Sequence, residues 1–233
     1  MFVRKSLLSA RNLISEMLEN IHQQLAAHPD VTLVAVSKFH PAEAIRAAYD
    51  EGQRVFGESR VQELLTKCDV LPSDIEWHFI GHLQRNKVRQ LLPHVSMIHS
   101  IDSERLLIEV NQQAVALGLT VDVLIQLHVA QEETKFGFLP DEALDLLRRF
   151  KENPLQDVRL RGVMCMASNT NDADRIRRDF QAARHFFNEA KDLLQAPEWN
   201  VRSWGMSADF PLAIEEGATH IRVGSLIFGE RQY

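Results

Sequence analysis

Along the chain, short runs rich in β-branched and aromatic residues alternate with stretches whose apolar residues recur every three or four positions. Eight such runs stand out: VTLVAVSK (31–38), RVFGES (54–59), EWHFIG (76–81), SMIHSID (96–102), VDVLIQLHVA (121–130), RLRGVMCMA (159–167), VRSWGMS (201–207) and THIRVG (219–224). A helical pattern separates each consecutive pair. The clearest sets Ile176, Phe180, Ala183, Phe187, Ala190 and Leu194 on one face, behind acidic Asp172 and Asp174. Another opens near Pro41 and closes at Gly52; a third runs from Ser103 towards Gly118 with Leu106, Leu107, Val110 and Ala114 inward. At the N-terminus, Leu7, Ala10, Ile14, Met17, Ile21 and Leu25 recur at helical spacing. Glu16 and Glu19 sit inside that stretch, so its basic start reads as a packed first helix and not as a transit peptide.

Alternation of strand and helix predicts parallel strands joined by right-handed crossovers. Eight units of about 29 residues fit a single (β/α)8 barrel, the α/β class, better than an open doubly wound sheet. No G-x-G-x-x-G follows the first strand, so a dinucleotide fold gains no positive support. No linker, low-complexity stretch or shift of composition interrupts the pattern, and one domain over residues 1–233 is expected.

Composition changes this picture only by exclusion. A formal charge of −6 argues against nonspecific binding to nucleic acid or anionic membrane. No apolar run approaches the roughly 20 residues that span a bilayer. Two cysteines, Cys68 and Cys165, make no disulfide framework, which points to a reducing compartment, the cytoplasm.

In such barrels the chemistry lies at the C-terminal ends of the strands. Lys38 ends the most apolar strand, on the face of Val34 and Val36. An ammonium in a partly apolar mouth has its charged form disfavoured, and a neutral amine attacks carbonyls; the plainer alternative is a lysine snorkelling to solvent. Lys135 in EETKFGF competes on position but follows a less apolar segment. Ser207 in GMSADF precedes a helical segment, and Gly224-Ser225 ends the eighth strand before LIFGE, a candidate short extra helix. Loops after strands seven and eight commonly build a phosphate site in these barrels, with free amides at the helix start. Both serines are equally suited to act as simple N-caps. Arg222, inside strand eight, requires either a carboxylate partner or a ligand. His78 and His82 lack a third nearby ligand, which disfavours a metal site. The basic residues after Gly81, including Lys87, read as a solvated face, Met164 and Met166 as core or ligand wall, and Cys165 as packing.

LVAVSKFHP, RVFGESRVQE, WHFIGHLQRNKVR, IHSID, VLIQLHVAQEETKFGF, LRGVMCMA and GMSADFPLAIEEGATHIRVGSLIFGERQY follow one another in an order that resembles the pyridoxal phosphate homeostasis proteins, the YggS/PROSC-like family. The likeness spans nearly the whole chain and is weakest over the first helix and residues 172–195. It implies a single barrel of the alanine racemase N-terminal-domain type (fold type III), holding pyridoxal 5′-phosphate as a Schiff base on Lys38. Ser207, Gly224 and Ser225 would hold the phosphate. Arg222 would approach the pyridine nitrogen, where a cation disfavours ring protonation and so weakens the ring as an electron sink. Ser59 stands where the family usually has asparagine, which shortens one contact to the cofactor or routes it through water. Trp204 and Ser225 are milder departures.

The resemblance implies a protein that buffers or delivers pyridoxal phosphate without turnover, as a monomer, with pyridoxal-phosphate-dependent apoenzymes as recipients. Lys87 and Lys135 are candidates for transient attachment during transfer. The alternatives are an amino-acid racemase and a cofactor-free aldolase-type barrel using Lys38. A racemase of this type takes a tyrosine base from a further C-terminal domain. Here the chain stops nine residues beyond Gly224, and its tyrosines are Tyr49 and Tyr233.

Overall fold

A computed structural model of the chain describes residues 2–131 and 136–230, with no description of the side chains of residues 2–10. Lys135, Tyr233 and the side chains of Leu7 and Ala10 therefore lie outside the described residues.

Eight parallel strands close into a barrel in sequence order: β1 (Thr32–Val36), β2 (Val55–Glu58), β3 (Glu76–Phe79), β4 (Met97–Ile101), β5 (Val121–Leu127), β6 (Val158–Cys165), β7 (Val201–Met206) and β8 (His220–Val223). The eighth returns to the first, with Val34 opposite Arg222 and Ala35 opposite Val223. Closure leaves no sheet edge, which settles the choice between barrel and open sheet in favour of the barrel.

The helices form the outer ring: α1 (Phe2–Leu25), α2 (Ala42–Asp50), α3 (Val61–Cys68), α4 (Val88–Leu91), α5 (Glu104–Leu117), α6 (Pro140–Glu152), α7 (Ala173–Leu194), α8 (Phe210–Glu215) and α9 (Ser225–Phe228). Leu33 and Ala35 of β1 belong to the large core between strands and helices. A much smaller apolar group, Met97, Leu124, Met164 and Val201, packs by itself within the barrel. The division follows from the pleat, which sends successive side chains to opposite faces of a strand.

Helix faces agree with the periodicity, with one correction. On α7, Ile176, Phe180, Ala183, Phe187 and Ala190 are buried, and Asp172 caps the helix by accepting from the amides of Asp174 and Arg175. On α1 the buried stripe is Ile14, Leu18, Ile21 and Leu25, whereas Met17 is only half-buried. Steps of four, three and four keep a stripe facing one way, and the Ile14–Met17 step drifts off its flank.

At Gly162 on β6 the backbone of β7 lies close against the strand. The φ of Gly162 is +149°, and a Cβ there would overlap the Val201 carbonyl on β7. Only glycine satisfies both demands. Beside it the β5–β6 register shifts between Val123 and Leu124.

Candidate functional site

Lys38 lies two residues beyond the end of β1, half-buried in a turn. It shares a cavity of about 270 Å³ with Val36, Ile80, Met166, Met206, Ser207, Arg222, Gly224 and Ser225. The strand-end lysine, the two serines, the glycine and the buried arginine are thus brought to one mouth from β1, β7 and β8. The walls are aliphatic or thioether side chains, which suits a flat ring.

The β7–β8 side is built from backbone. Asp209 accepts from the Met206 amide and pins the turn that carries Ser207. The Ser207 hydroxyl accepts from the Gly224 amide at 3.2 Å, which ties the two loops together. Neither serine is an N-cap: Asp209 precedes α8 and Gly224 precedes α9. The amides of Ser225 and Leu226 stand ahead of the first helical bonds, which run from Ile227 and Phe228 to the Gly224 carbonyl. A Cβ on Gly224 would lie 3.1 Å from the Val36 carbonyl oxygen, a tight contact that the absence of a side chain relieves.

Arg222 is 5% exposed. Its Nη1 donates to the carbonyl (2.7 Å) and hydroxyl (2.8 Å) of Ser203, and its Nη2 to the Cys165 carbonyl at 2.9 Å. These acceptors are neutral, and no carboxylate among the described residues forms an ion pair with it. Burial pulls its pKa below the ordinary value for a guanidinium. Asp209 offsets part of that cost by favouring the charged form, and a buried cation at a cavity wall also suits an electron-rich ligand group. The residues therefore fit a compact phosphorylated carbonyl compound: an amine, a cation, and a cradle of hydroxyls and amides.

Beneath Arg222 the barrel filling is unusually polar. Ser203 Oγ lies 2.9 Å from His99 Nδ1, and His99 Nε2 lies 2.9 Å from His78 Nδ1. The chain closes without conflict when the Ser203 hydroxyl donates to His99 and His99 in turn donates to His78. His220 stacks on His78 at 6.0 Å between ring centroids and meets the Thr219 hydroxyl. Burial lowers the pKa of His78 to about 3 and of His220 to about 4, and holds His99 well below the histidine range. At neutral pH the column is uncharged and supplies Arg222 with an acceptor, not a counter-ion.

The other expected positions fall elsewhere. Ser59 is half-buried after β2 and outside the cavity-lining set, with its backbone packed too tightly on Gly81 to admit a Cβ there. His82 does not join His78: its Nδ1 meets Asp102 at 2.8 Å and its ring stacks on Phe136. Met164 belongs to the barrel interior and Met166 to the cavity wall, while Cys165 is buried outside the barrel wall. Cys68 has its pKa raised to about 11 by burial and by neighbouring acids, so its thiol stays protonated. Lys87 sits in a 3-10 turn of residues 85–87. Tyr49, on α2, donates to Asp74 and lies under the Arg54 guanidinium at 3.8 Å.

Two features escaped the sequence. His40 lines the cavity, its ring 5.1 Å from that of Phe228; its place two residues after Lys38 was the available signal. The Ser203–His99–His78 column had none, because His99 and Ser203 lie 104 positions apart along the chain.

A closed barrel with an amine, an anion cradle and a buried cation at its C-terminal mouth is the architecture of a phosphorylated-cofactor protein. The family description "Alanine racemase, N-terminal domain" matches residues 14–232. The pyridoxal phosphate homeostasis protein of Aquifex aeolicus is 43% identical over 206 residues, covering 86% of this chain and 87% of that one. The structure of PipY of Synechococcus elongatus, described as having PLP bound, superposes with a TM-score of 0.83 at 40% identity, over 93% of this chain and all of that one. Alanine racemase of Clostridium difficile shares only the fold, with 16% identity and a TM-score of 0.75, and this chain spans 58% of it. This chain belongs to the pyridoxal phosphate homeostasis family within the alanine racemase N-terminal-domain group.

Proposed function

We propose that this chain is a single-domain pyridoxal 5′-phosphate-binding protein that serves vitamin B6 and amino-acid homeostasis in the cytoplasm, holding the cofactor on Lys38 without catalytic turnover. The observation that carries it is the meeting of Lys38, Ser207, Gly224 and Ser225 with a buried Arg222 whose partners are neutral. Bound pyridoxal phosphate would supply an electrophilic aldehyde and an electron-withdrawing ring. Lys38 anchors it; Ser207, Ser225 and the amides at Gly224–Leu226 receive the phosphate. Arg222, a cation at the cavity wall, would oppose protonation of the ring nitrogen, which would favour holding over carbanion chemistry. Val36, Ile80, Met166 and Met206, as cavity walls, would exclude water around a bound ring. Ser59, outside the cavity-lining set, would reach the cofactor only through a shorter or water-mediated contact.

Tyr49, on α2, is engaged with Asp74 and so is not a free base for the racemase reading. The chain is proposed to act as a monomer, passing its cargo to pyridoxal-phosphate-dependent apoenzymes, with Lys87 and Lys135 as transient attachment points. No helix among the described residues is long and apolar enough to cross a membrane.

The test is the visible spectrum of the purified protein with added pyridoxal phosphate, borohydride reduction and peptide mapping. A reduced pyridoxyl group is expected on Lys38 and absent from Lys38→Ala. Full labelling of the Lys38→Ala variant overturns the anchor, and enzyme-like turnover of free amino acids overturns the non-catalytic reading.

A further inference from the structure

A second lysine is buried beside the same turn. Lys67, in the last turn of α3, is 6% exposed. Its ammonium donates to Glu58 Oε1 (2.6 Å), to Glu63 Oε1 (2.7 Å) and to the Ser37 carbonyl (2.9 Å). Glu58 is fully buried and also receives the Ser37 hydroxyl at 2.7 Å. Glu63 Oε1 receives the backbone N–H of Phe39 at 2.6 Å. The residues immediately before and after Lys38 are thus tied to one buried cation and its two carboxylates.

The tether has a visible effect on the backbone. Phe39 has φ +67°, a left-handed conformation that costs a residue with a side chain about 1–2 kcal/mol. The hydrogen bond from its amide N–H to Glu63, with the Arg60 guanidinium 4.6 Å from its ring, supports that conformation. Packing alone would not call for this group. Buried ion pairs seldom exceed well-packed apolar side chains in stability, and the second oxygen of Glu58 has no hydrogen-bond partner. Burial accordingly raises the Glu58 pKa. A costly arrangement that grips both neighbours of one residue is suited to setting that residue's geometry.

We infer that Lys67, with Glu58 and Glu63, is a positioning triad that fixes the Ser37–Phe39 turn so that Lys38 presents its amine to the aldehyde of a ligand seated in the mouth. The inference rests on Lys38 being the attachment residue. In that reaction the Lys38 nitrogen gains a C=N bond to the aldehyde carbon, and the aldehyde oxygen leaves as water with the two amine protons. The triad touches neither ligand nor reacting atoms and acts only through the turn.

The experiment compares two ligands on the full chain: pyridoxal 5′-phosphate and pyridoxine 5′-phosphate, which keeps ring and phosphate but carries an alcohol in place of the aldehyde. Lys67→Met retains the apolar stem and removes the ammonium; the Glu58→Gln/Lys67→Met pair avoids stranding a buried carboxylate; Glu63→Ala removes the Phe39 tether from a more exposed site. Each variant is expected to bind pyridoxal phosphate weaker by on the order of tenfold and to form the borohydride-trappable adduct more slowly. Each is also expected to bind pyridoxine phosphate within about twofold of the unsubstituted protein, and Lys67→Arg to recover part of the loss. Equal losses for both ligands would make the triad merely structural and overturn the inference, as would variants indistinguishable from the unsubstituted chain. If Lys67→Met does not fold, Glu63→Ala decides by the same comparison. An unsubstituted protein that forms no adduct on Lys38 overturns the attachment itself, a result distinct from failure of the triad.

Discussion

Arg222 and Ser203 are joined twice, through the hydroxyl and the carbonyl of the serine, and this pair links the mouth of the barrel to the histidine column beneath it. The arginine is held in position by neutral groups, while Asp209 favours its charge only from a distance, without a direct contact.

Ser203→Ala keeps the carbonyl acceptor but removes the hydroxyl from both Arg222 and His99. A buried ring nitrogen left without its partner costs about 1–3 kcal/mol. Urea unfolding is expected to show a loss of that size, with weaker pyridoxal phosphate binding. Unchanged stability would mean that water or a rotated His99 replaces the hydroxyl.

Gly224→Ala places a methyl 3.1 Å from the Val36 oxygen and 3.2 Å from the Val36 Cβ. The loop must move away from β1, at about 1–3 kcal/mol of overpacking. Because Gly224 also hydrogen-bonds Ser207, the expected signature is weaker affinity for both pyridoxal phosphate and pyridoxine phosphate, read by titration. A loss confined to the aldehyde would place the fault at Lys38 and not at the phosphate cradle.

The histidine column predicts a stability profile. The ordinary histidine value is 6.5, and the folded values are lowered to about 3 for His78 and about 4 for His220. Below pH 6.5 the unfolded chain binds protons that the folded one refuses, so stability falls as pH falls. Above 6.5 both states are neutral and this contribution is flat. Between about pH 6 and 4.5 the slope is about 1.4 kcal/mol per pH unit for each histidine. The groups around the column, Arg161 and Arg222 among them, add to the same sign by repelling the protonated rings. Chemical denaturation at a series of pH values checks this; His78→Asn is expected to reduce the slope.

Leu18→Ala is expected to cost about 2–5 kcal/mol, since Leu18 is 1% exposed in the α1 stripe, and Met17→Ala markedly less. Thermal unfolding of the two variants side by side separates them. Equal losses would place the stripe where the simple periodicity put it.

Strand number and order, the parallel connection and the inward faces of α5 and α7 were legible because they depend on periods of two and 3.6 that local sequence carries. So was the convergence of Lys38, Ser207, Arg222, Gly224 and Ser225, since the fold rule sends strand ends to one face. Ser59 was harder: its strand end is correct, yet its neighbours at Gly81 decide what it can reach. The N-cap alternative for Ser207 failed because the helix begins at Phe210, two residues further on than the sequence suggested.

The sequence by itself determined which residues face the core, which end at the barrel mouth and, through its motifs, which family they belong to. Only the tertiary structure decided that Arg222 rests on Ser203, that His99 joins His78 beneath it, and that Lys67 grips both neighbours of Lys38. Those contacts join side chains from strands and helices far apart in sequence. Their existence depends on barrel closure and on register, which bring distant positions within hydrogen-bond reach, and no local period encodes which partner will be there.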